Sequence, residues 1–348
     1  MSTVISSLGP RMRQAEGARA TPAVLATLGW WLWLLASVSL LGLAIAGVSI
    51  GPFGDEPRLA GAGAVGVSTA YTVALANRTG GRPLVFGAVV LAMGLLALGT
   101  DTDRLRTGAA LLTSILAAVL AVMLTVPAVR FWQAVREVLV AVVVAGIGAF
   151  ASIGFAPVVH PGKFEYLALA LSLVVVFVLV YRLGAGFHGL GRRGLTLVLV
   201  GGLLLALSLL YAEVLRRYGS PGLVEMLFGG AEWVHTTLGA IPRPIVTLLG
   251  IPALAWGCHI RARRRQGWWV SAFGVAGTTP IAHSLVRPDV PLTEVGLQAL
   301  YSVIAGLLLG FLVIRADLWF ANTRGSRARR AEEQTAVRPE PGRAGALL

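Results

Sequence analysis

Residues 164–181 read FEYLALALSLVVVFVLVY, followed at once by Arg182, and Glu165 is the only charge among the eighteen. A helix of that length rises roughly 27 Å at about 1.5 Å per residue, close to the roughly 30 Å hydrocarbon core of a bilayer. The stretch therefore reads as a membrane-crossing helix. Nine further segments have the same character: 24–47, 59–76, 83–99, 107–126, 134–156, 194–215, 244–260, 268–286 and 293–314. The expected fold class is all-α, a polytopic transmembrane helical bundle of ten spans. Segments 59–76, 83–99 and 244–260 are near the short limit, so the count becomes eight or nine if one of them is re-entrant or interfacial.

Composition points the same way. The 348 residues are 56% hydrophobic and 13% charged, with a mean hydropathy of +0.78. A soluble domain carries about 25% charge, so roughly half the usual solvating surface is missing and lipid takes its place.

The basic residues fall mainly on alternate sides of these spans. Placing the N-terminus in the cytoplasm puts 21 of the 29 Lys and Arg residues inside, with 6 of the 16 acids. Because positive loops are retained on the cytoplasmic side during insertion, this asymmetry predicts N-in, C-in topology and an even span count in the cell inner (cytoplasmic) membrane. The chain then divides into a cytoplasmic N-terminal tail (1–22), a transmembrane domain (23–320) with an outside loop at 213–243, and a basic C-terminal tail (321–348). That tail is rich in Arg, Glu, Gly and Pro and is expected to be disordered, with a docking segment as the alternative. The first span reads as retained rather than as a cleaved signal peptide, since no small-residue cleavage pattern follows a short hydrophobic stretch.

A net charge of +13 and a pI near 11.3 could suggest nucleic acid, but the charge is spread over membrane-proximal loops and the tail. No nucleic-acid partner is expected. Anionic lipid headgroups at the cytoplasmic face are, with Arg261, Arg263, Arg264 and Arg265 as the candidate contact. The excess of arginine over lysine, 28 to one, reads as a compositional bias. Eight of the nine tryptophans lie near span ends, where amphipathic rings suit the headgroup boundary. Gly66, Ala70 and Ala74, and again Gly306 and Gly310, recur at four-residue spacing and predict close helix packing within the chain, with homo-oligomerisation as the alternative.

Metal and redox chemistry have little support. Cys258 is the single cysteine, and the five histidines form neither an HExxH motif nor a short pair. No cofactor is expected. P-loop, Rossmann and nucleophile-elbow signatures are absent in their required contexts, and the apolar middles of the spans hold no Asp, Glu, Lys, Arg or His for a proton relay.

Two intervals carry the polar groups that remain. The outside loop holds Arg216, Arg217, Glu232 and His235 among apolar stretches. Residues 223–228 and 233–238 are expected to form two short interfacial helices, broken at Gly229 and Gly230. Glu232 and His235, three residues apart, share a helix face. In the ninth segment Thr278, Thr279 and Pro280 interrupt the aliphatic pattern and His283 follows; proline removes a backbone donor and kinks a helix. These seven residues, Arg216, Arg217, Glu232, His235, Thr278, Thr279 and His283, are the candidate substrate or partner contacts. The pattern favours an accessory or structural membrane protein of the kind that serves cell-envelope assembly, contacting an envelope protein or a second copy. A permease or lipid transporter without an intramembrane carboxylate relay is the alternative, and a lipid-modifying enzyme comes third.

The topology has a direct test. In a Cys258→Ala background, single cysteines at Ser6 and Ser326 should be labelled only from the cytoplasm and one at Lys163 only from outside. Termini labelled from opposite faces would refute the even-span arrangement.

Overall fold

The computed structural model describes residues 9–48, 56–100, 102–183, 192–218, 221–262, 268–287, 289–322, 341–343 and 345–347. Every regular element among them is helical: α1 (Gly9–Ile45), α2 (Glu56–Arg78), α3 (Pro83–Gly99), α4 (Asp103–Met123), α5 (Phe131–Gly154), α6 (Pro161–Arg182), α7 (Arg192–Tyr218), α8 (Pro221–Leu238), α9 (Ile251–Arg261), α10 (Trp268–Ala282) and α11 (Leu292–Asn322). A π-helical stretch, Ile245–Gly250, runs directly into α9, and a single 3-10 turn, Ser284–Val286, follows α10.

Each expected span coincides with a helix, yet only six helices among the described residues are both long and apolar enough to cross a membrane: those containing Leu25–Ile45, Pro57–Arg78, Asp103–Met123, Phe131–Gly154, Gly162–Arg182 and Leu292–Trp319. Pro83–Gly99 and Ile245–Arg261 are shorter, α7 is apolar over Val198–Leu207, and α10 has 15 residues. Two further boundaries differ from expectation. α1 begins at Gly9, so helix extends back through residues assigned to the N-terminal tail. Gly229 and Gly230 do not break α8, which is one helix rather than two. Glycine permits a break without imposing one, and two interior glycines cost a helix only about 1 kcal/mol each. α8 ends instead at Gly239, whose positive φ of 77° admits the left-handed conformation and whose N–H reaches His235 O at 2.9 Å.

Small residues set the packing. Ala117, Ala118 and Ala121 of α4 and Ala141 and Ala145 of α5 are fully buried. The tightest approach of backbone to backbone is between Gly250, where the π-helical stretch ends, and Gly277 of α10: a Cβ added at Gly250 would lie 2.1 Å from the Gly277 Cα. Gly306 and Gly310 of α11 face Ile251 and Ala255 of α9, where added Cβ atoms would come within 2.6 and 3.1 Å of those side chains. The small-residue spacing in this span thus serves packing inside the chain. Hydroxyls add interhelical ties, Ser68 to Thr113 at 2.7 Å, Ser114 to Ser152 at 2.8 Å, and Tyr71 OH to Val144 O at 2.9 Å.

Trp30 and Trp33 do more than mark a boundary. Their indole N–H groups donate to Ala70 O and Gly66 O of α2, each at 2.9 Å, so the small-residue face of α2 exposes carbonyls that α1 caps. Large apolar side chains meanwhile point outward along α3 (Leu84, Val85, Phe86, Met93) and α11 (Leu300, Ile304, Leu308, Leu312). Such surfaces on consecutive turns are what a lipid-embedded helix presents.

The Gly250 crossing gives a prediction. Gly250→Ala should destabilise the solubilised protein by about 1–3 kcal/mol, because the opposing atoms are backbone and cannot give way. Gly146→Ala, with nothing within 4 Å of its Cβ position, should leave thermal unfolding in detergent unchanged or slightly raised.

Candidate functional site at the basic face

The C-terminal end of α4 gathers three arginines from distant parts of the chain. A helix leaves its last carbonyls without helical donors, at the negative end of its dipole. Arg78, at the end of α2, donates Nε to Met123 O at 3.0 Å. Arg343 donates Nη1 to Leu124 O at 3.4 Å. Arg261, at the end of α9, donates to Thr125 O and, at 3.2 Å, to Thr125 Oγ1. Three successive carbonyls are each met by a guanidinium, and Ala128 N donates to Cys258 O at 2.8 Å beside them.

Glu137, in the second turn of α5, completes the cluster. Its side chain is fully buried. Oε2 accepts the Val126 N–H at 3.0 Å, and Oε1 accepts Arg136 Nε at 3.1 Å and Arg343 Nη2 at 2.7 Å. A carboxylate out of water costs several kcal/mol unless paired and hydrogen-bonded, and here it is both.

Arg78 is 1% exposed and reaches the other way as well. Its Nη1 donates to Gly342 O and Gly345 O, each at 2.7 Å, and to Pro341 O at 3.3 Å. Gly345 N closes a turn onto Gly342 O at 2.9 Å, Leu347 N donates to Arg78 O at 2.9 Å, and the Leu347 side chain packs against the main core. Within the expected tail, residues 341–343 and 345–347 thus lie against the ends of α2 and α4.

The opposite face is a set of structural ties. His235 Nε2 pairs with Glu294 Oε1 of α11 at 3.2 Å. Glu232, expected beside it, is exposed on α8. Arg243 donates Nε to Gln298 Oε1 at 2.6 Å and Nη1 to Pro280 O at 2.9 Å, capping the end of α10, while its backbone N–H reaches Ser302 Oγ at 2.8 Å. Burial pulls the Arg243 pKa downward, opposed by the Glu165 carboxylate and reinforced by Arg287. Arg287 itself pairs with Glu165 at 2.9 Å. The recess lined by Arg243, Pro280, Gln298 and Ser302 has an internal space of about 10 Å³, room for roughly one water.

Three of the remaining candidates make contacts within the chain. Thr278 Oγ1 donates to Ala118 O of α4 at 2.9 Å, and Thr279 Oγ1 donates to Val275 O of its own helix at 2.8 Å. His283 is buried with its ring edge-on to Phe164, centroids 6.2 Å apart. Arg216 and Arg217 lie on the helical backbone of α7, but their side chains fall outside the described residues, as do Arg263, Arg264 and Arg265 entirely. Arg261, also a candidate lipid contact, reaches Thr125 in the cluster. No group of three or more His, Cys, Asp or Glu side chains able to hold a metal occurs among the described residues.

Sequence reasoning missed Glu137, Arg78 and Arg343 as a site. The available signal was Glu137 itself, an acid opening an otherwise apolar helix directly after Arg130 and Arg136. No family model, no curated protein and no solved structure matches this chain.

Removing the carboxylate should leave Arg343 and the Val126 N–H without their acceptor. Glu137→Ala is expected to destabilise the solubilised protein by about 1–3 kcal/mol, the range for leaving a donor without its acceptor, because the cations left behind, Arg136 and Arg343, are 64% and 32% exposed and regain water. His235→Ala, at a half-exposed pair, should change stability by less than about 1 kcal/mol. Thermal unfolding of the two variants side by side reads the difference.

Proposed function

We propose that the chain is a non-catalytic accessory protein of the cell inner membrane, crossing it ten times with both termini cytoplasmic, and that it serves cell-envelope assembly by holding a protein partner at its basic face. The observation that carries this reading is the cluster around α4, where Arg78 and Glu137 hold a non-helical stretch of polypeptide by its carbonyls and its one arginine. Donors directed at main-chain carbonyls, beside a carboxylate that receives an arginine, are the chemistry that holds polypeptide, and this supports a holding role. The ten crossings draw support from the alternating basic segments, and from the way the ends of α2, α4 and α9 meet at one end of the bundle. Anionic headgroups belong at the same face.

A second reading is transport. What favours it is the π-helical stretch Ile245–Gly250, a geometry frequent at functional sites, together with Thr247, whose buried Oγ1 has no hydrogen-bond partner among the described residues.

The two readings part in one paired experiment. The accessory role predicts stoichiometric co-purification of a defined envelope protein from solubilised membranes. That capture should be lost in Arg78→Gln at unchanged abundance and kept in Glu232→Ala with His235→Ala. Movement of a solute or lipid by the isolated protein in vesicles, abolished by Thr247→Ala, would overturn it in favour of transport.

A further inference from the structure

The segment held at the basic face is attached by unlike contacts, each of which any peptide of the same chemistry could make. Three carbonyls, those of Pro341, Gly342 and Gly345, converge on Arg78 Nη1. One cation, Arg343, enters between Leu124 O and Glu137. One amide, that of Leu347, returns to the Arg78 carbonyl, and one apolar side chain, that of Leu347, meets the core. The receiving surface is complete on its own side: α4 supplies carbonyls, α2 a guanidinium, and α5 a carboxylate that keeps the Val126 N–H and Arg136 when Arg343 is withdrawn. Gly345 allows the close turn, since a Cβ there would sit 3.0 Å from the Pro341 Cβ, whereas one at Gly342 would meet nothing within 4 Å.

From this we infer that the basic face contains a peptide-binding cleft for a short, turn-forming segment bearing one arginine, and that residues 341–343 and 345–347 are its resident, displaceable occupant in cis. The tail acts as a cap: a partner segment of the same chemistry enters when the tail leaves. The inference rests on reading this face as a surface that holds polypeptide, but it concerns occupancy of the cleft and needs no partner for its test.

The connection is long enough. Phe131, at the start of α5, contacts Phe311 of α11 with ring centroids 5.1 Å apart, and Glu137 lies six residues along α5 from it, roughly 9 Å. From Asn322 to Pro341 the sequence runs 18 intervening residues, which extended reach roughly 60 Å. A tether of that kind gives an effective concentration on the order of millimolar. A free peptide therefore competes poorly with the intact tail and well with a weakened one.

Hydrogen exchange on the full chain in lipid nanodiscs tests this. The Leu347 amide should exchange at least about tenfold more slowly than free peptide, independently of protein concentration. In Arg343→Gln that protection should fall, while Val126 remains protected because Glu137 keeps its other donors. A synthetic 341–347 peptide blocked at both ends should then bind the Arg343→Gln chain about tenfold more tightly than the unmutated chain. Adding Glu137→Gln should weaken the arginine-bearing peptide but not a peptide with glutamine at that position, a coupling that mere loss of fold would not produce. Free exchange of Leu347 in the unmutated chain would overturn the docked tail, and protection that disappears on dilution would mean that the tail docks between copies. Release of the tail by raising the fraction of phosphatidylglycerol, with no response to peptide, would make the cleft a headgroup site and overturn the inference as well. Failure to find an envelope partner while these results hold would count against the accessory role alone.

Discussion

The open end of α4 is the constraint on which the basic face depends. Its final carbonyls, buried among helices, have no helical donors, and water is excluded from much of the surroundings. Arg78, Arg343 and Arg261 meet Met123, Leu124 and Thr125 in succession. By doing so they draw together the ends of α2 and α9 and a segment nearly two hundred residues beyond α5. Arginine suits this task because its planar fork presents several donors in fixed directions, whereas an ammonium is a single strongly hydrated point. An excess of arginine that looks like bias in the sequence has a local physical reason at these positions.

The two faces of the bundle differ in what their polar groups satisfy. On the face bearing Arg243, His235 and Arg287, each group ties one helix to another: α8 to α11 through Glu294, α10 to α11 through Arg243, and α6 to the turn after α10 through Glu165. On the basic face the groups also grip a non-helical segment. That difference moves the functional reading from residues 213–243 to the opposite end of the molecule.

The helices and their apolar, membrane-spanning lengths were legible because hydropathy and span length act residue by residue: the apolar run at 164–181 and the outward leucines of α11 need no partner to be recognised. The spacing of Gly306 and Gly310 was legible for the same reason. Glu137 was not. Its meaning depends on the Val126 N–H, eleven residues away, and on Arg343, more than two hundred away. Trp30 and Trp33 were read as boundary residues because an indole suits headgroups, yet their partners are carbonyls exposed by the small face of α2. His235 was matched to Glu232 by spacing along one helix, while the structure pairs it across helices with Glu294. Local patterns predict neighbours in sequence, and this cluster is built from neighbours in space.

Convergence of the α4–α5 junction with the end of α9 is the central claim, and it has a native reporter. Ala128 and Cys258 are buried in one cluster, joined by the 2.8 Å bond from Ala128 N to Cys258 O, a separation compatible with disulfide geometry. Oxidation of the Ala128→Cys variant in membranes, followed by denaturation and alkylation, measures it directly. The account predicts that both thiols are lost to alkylation in a monomeric chain and are recovered by reductant. Two thiols that remain fully alkylated after oxidation would contradict it.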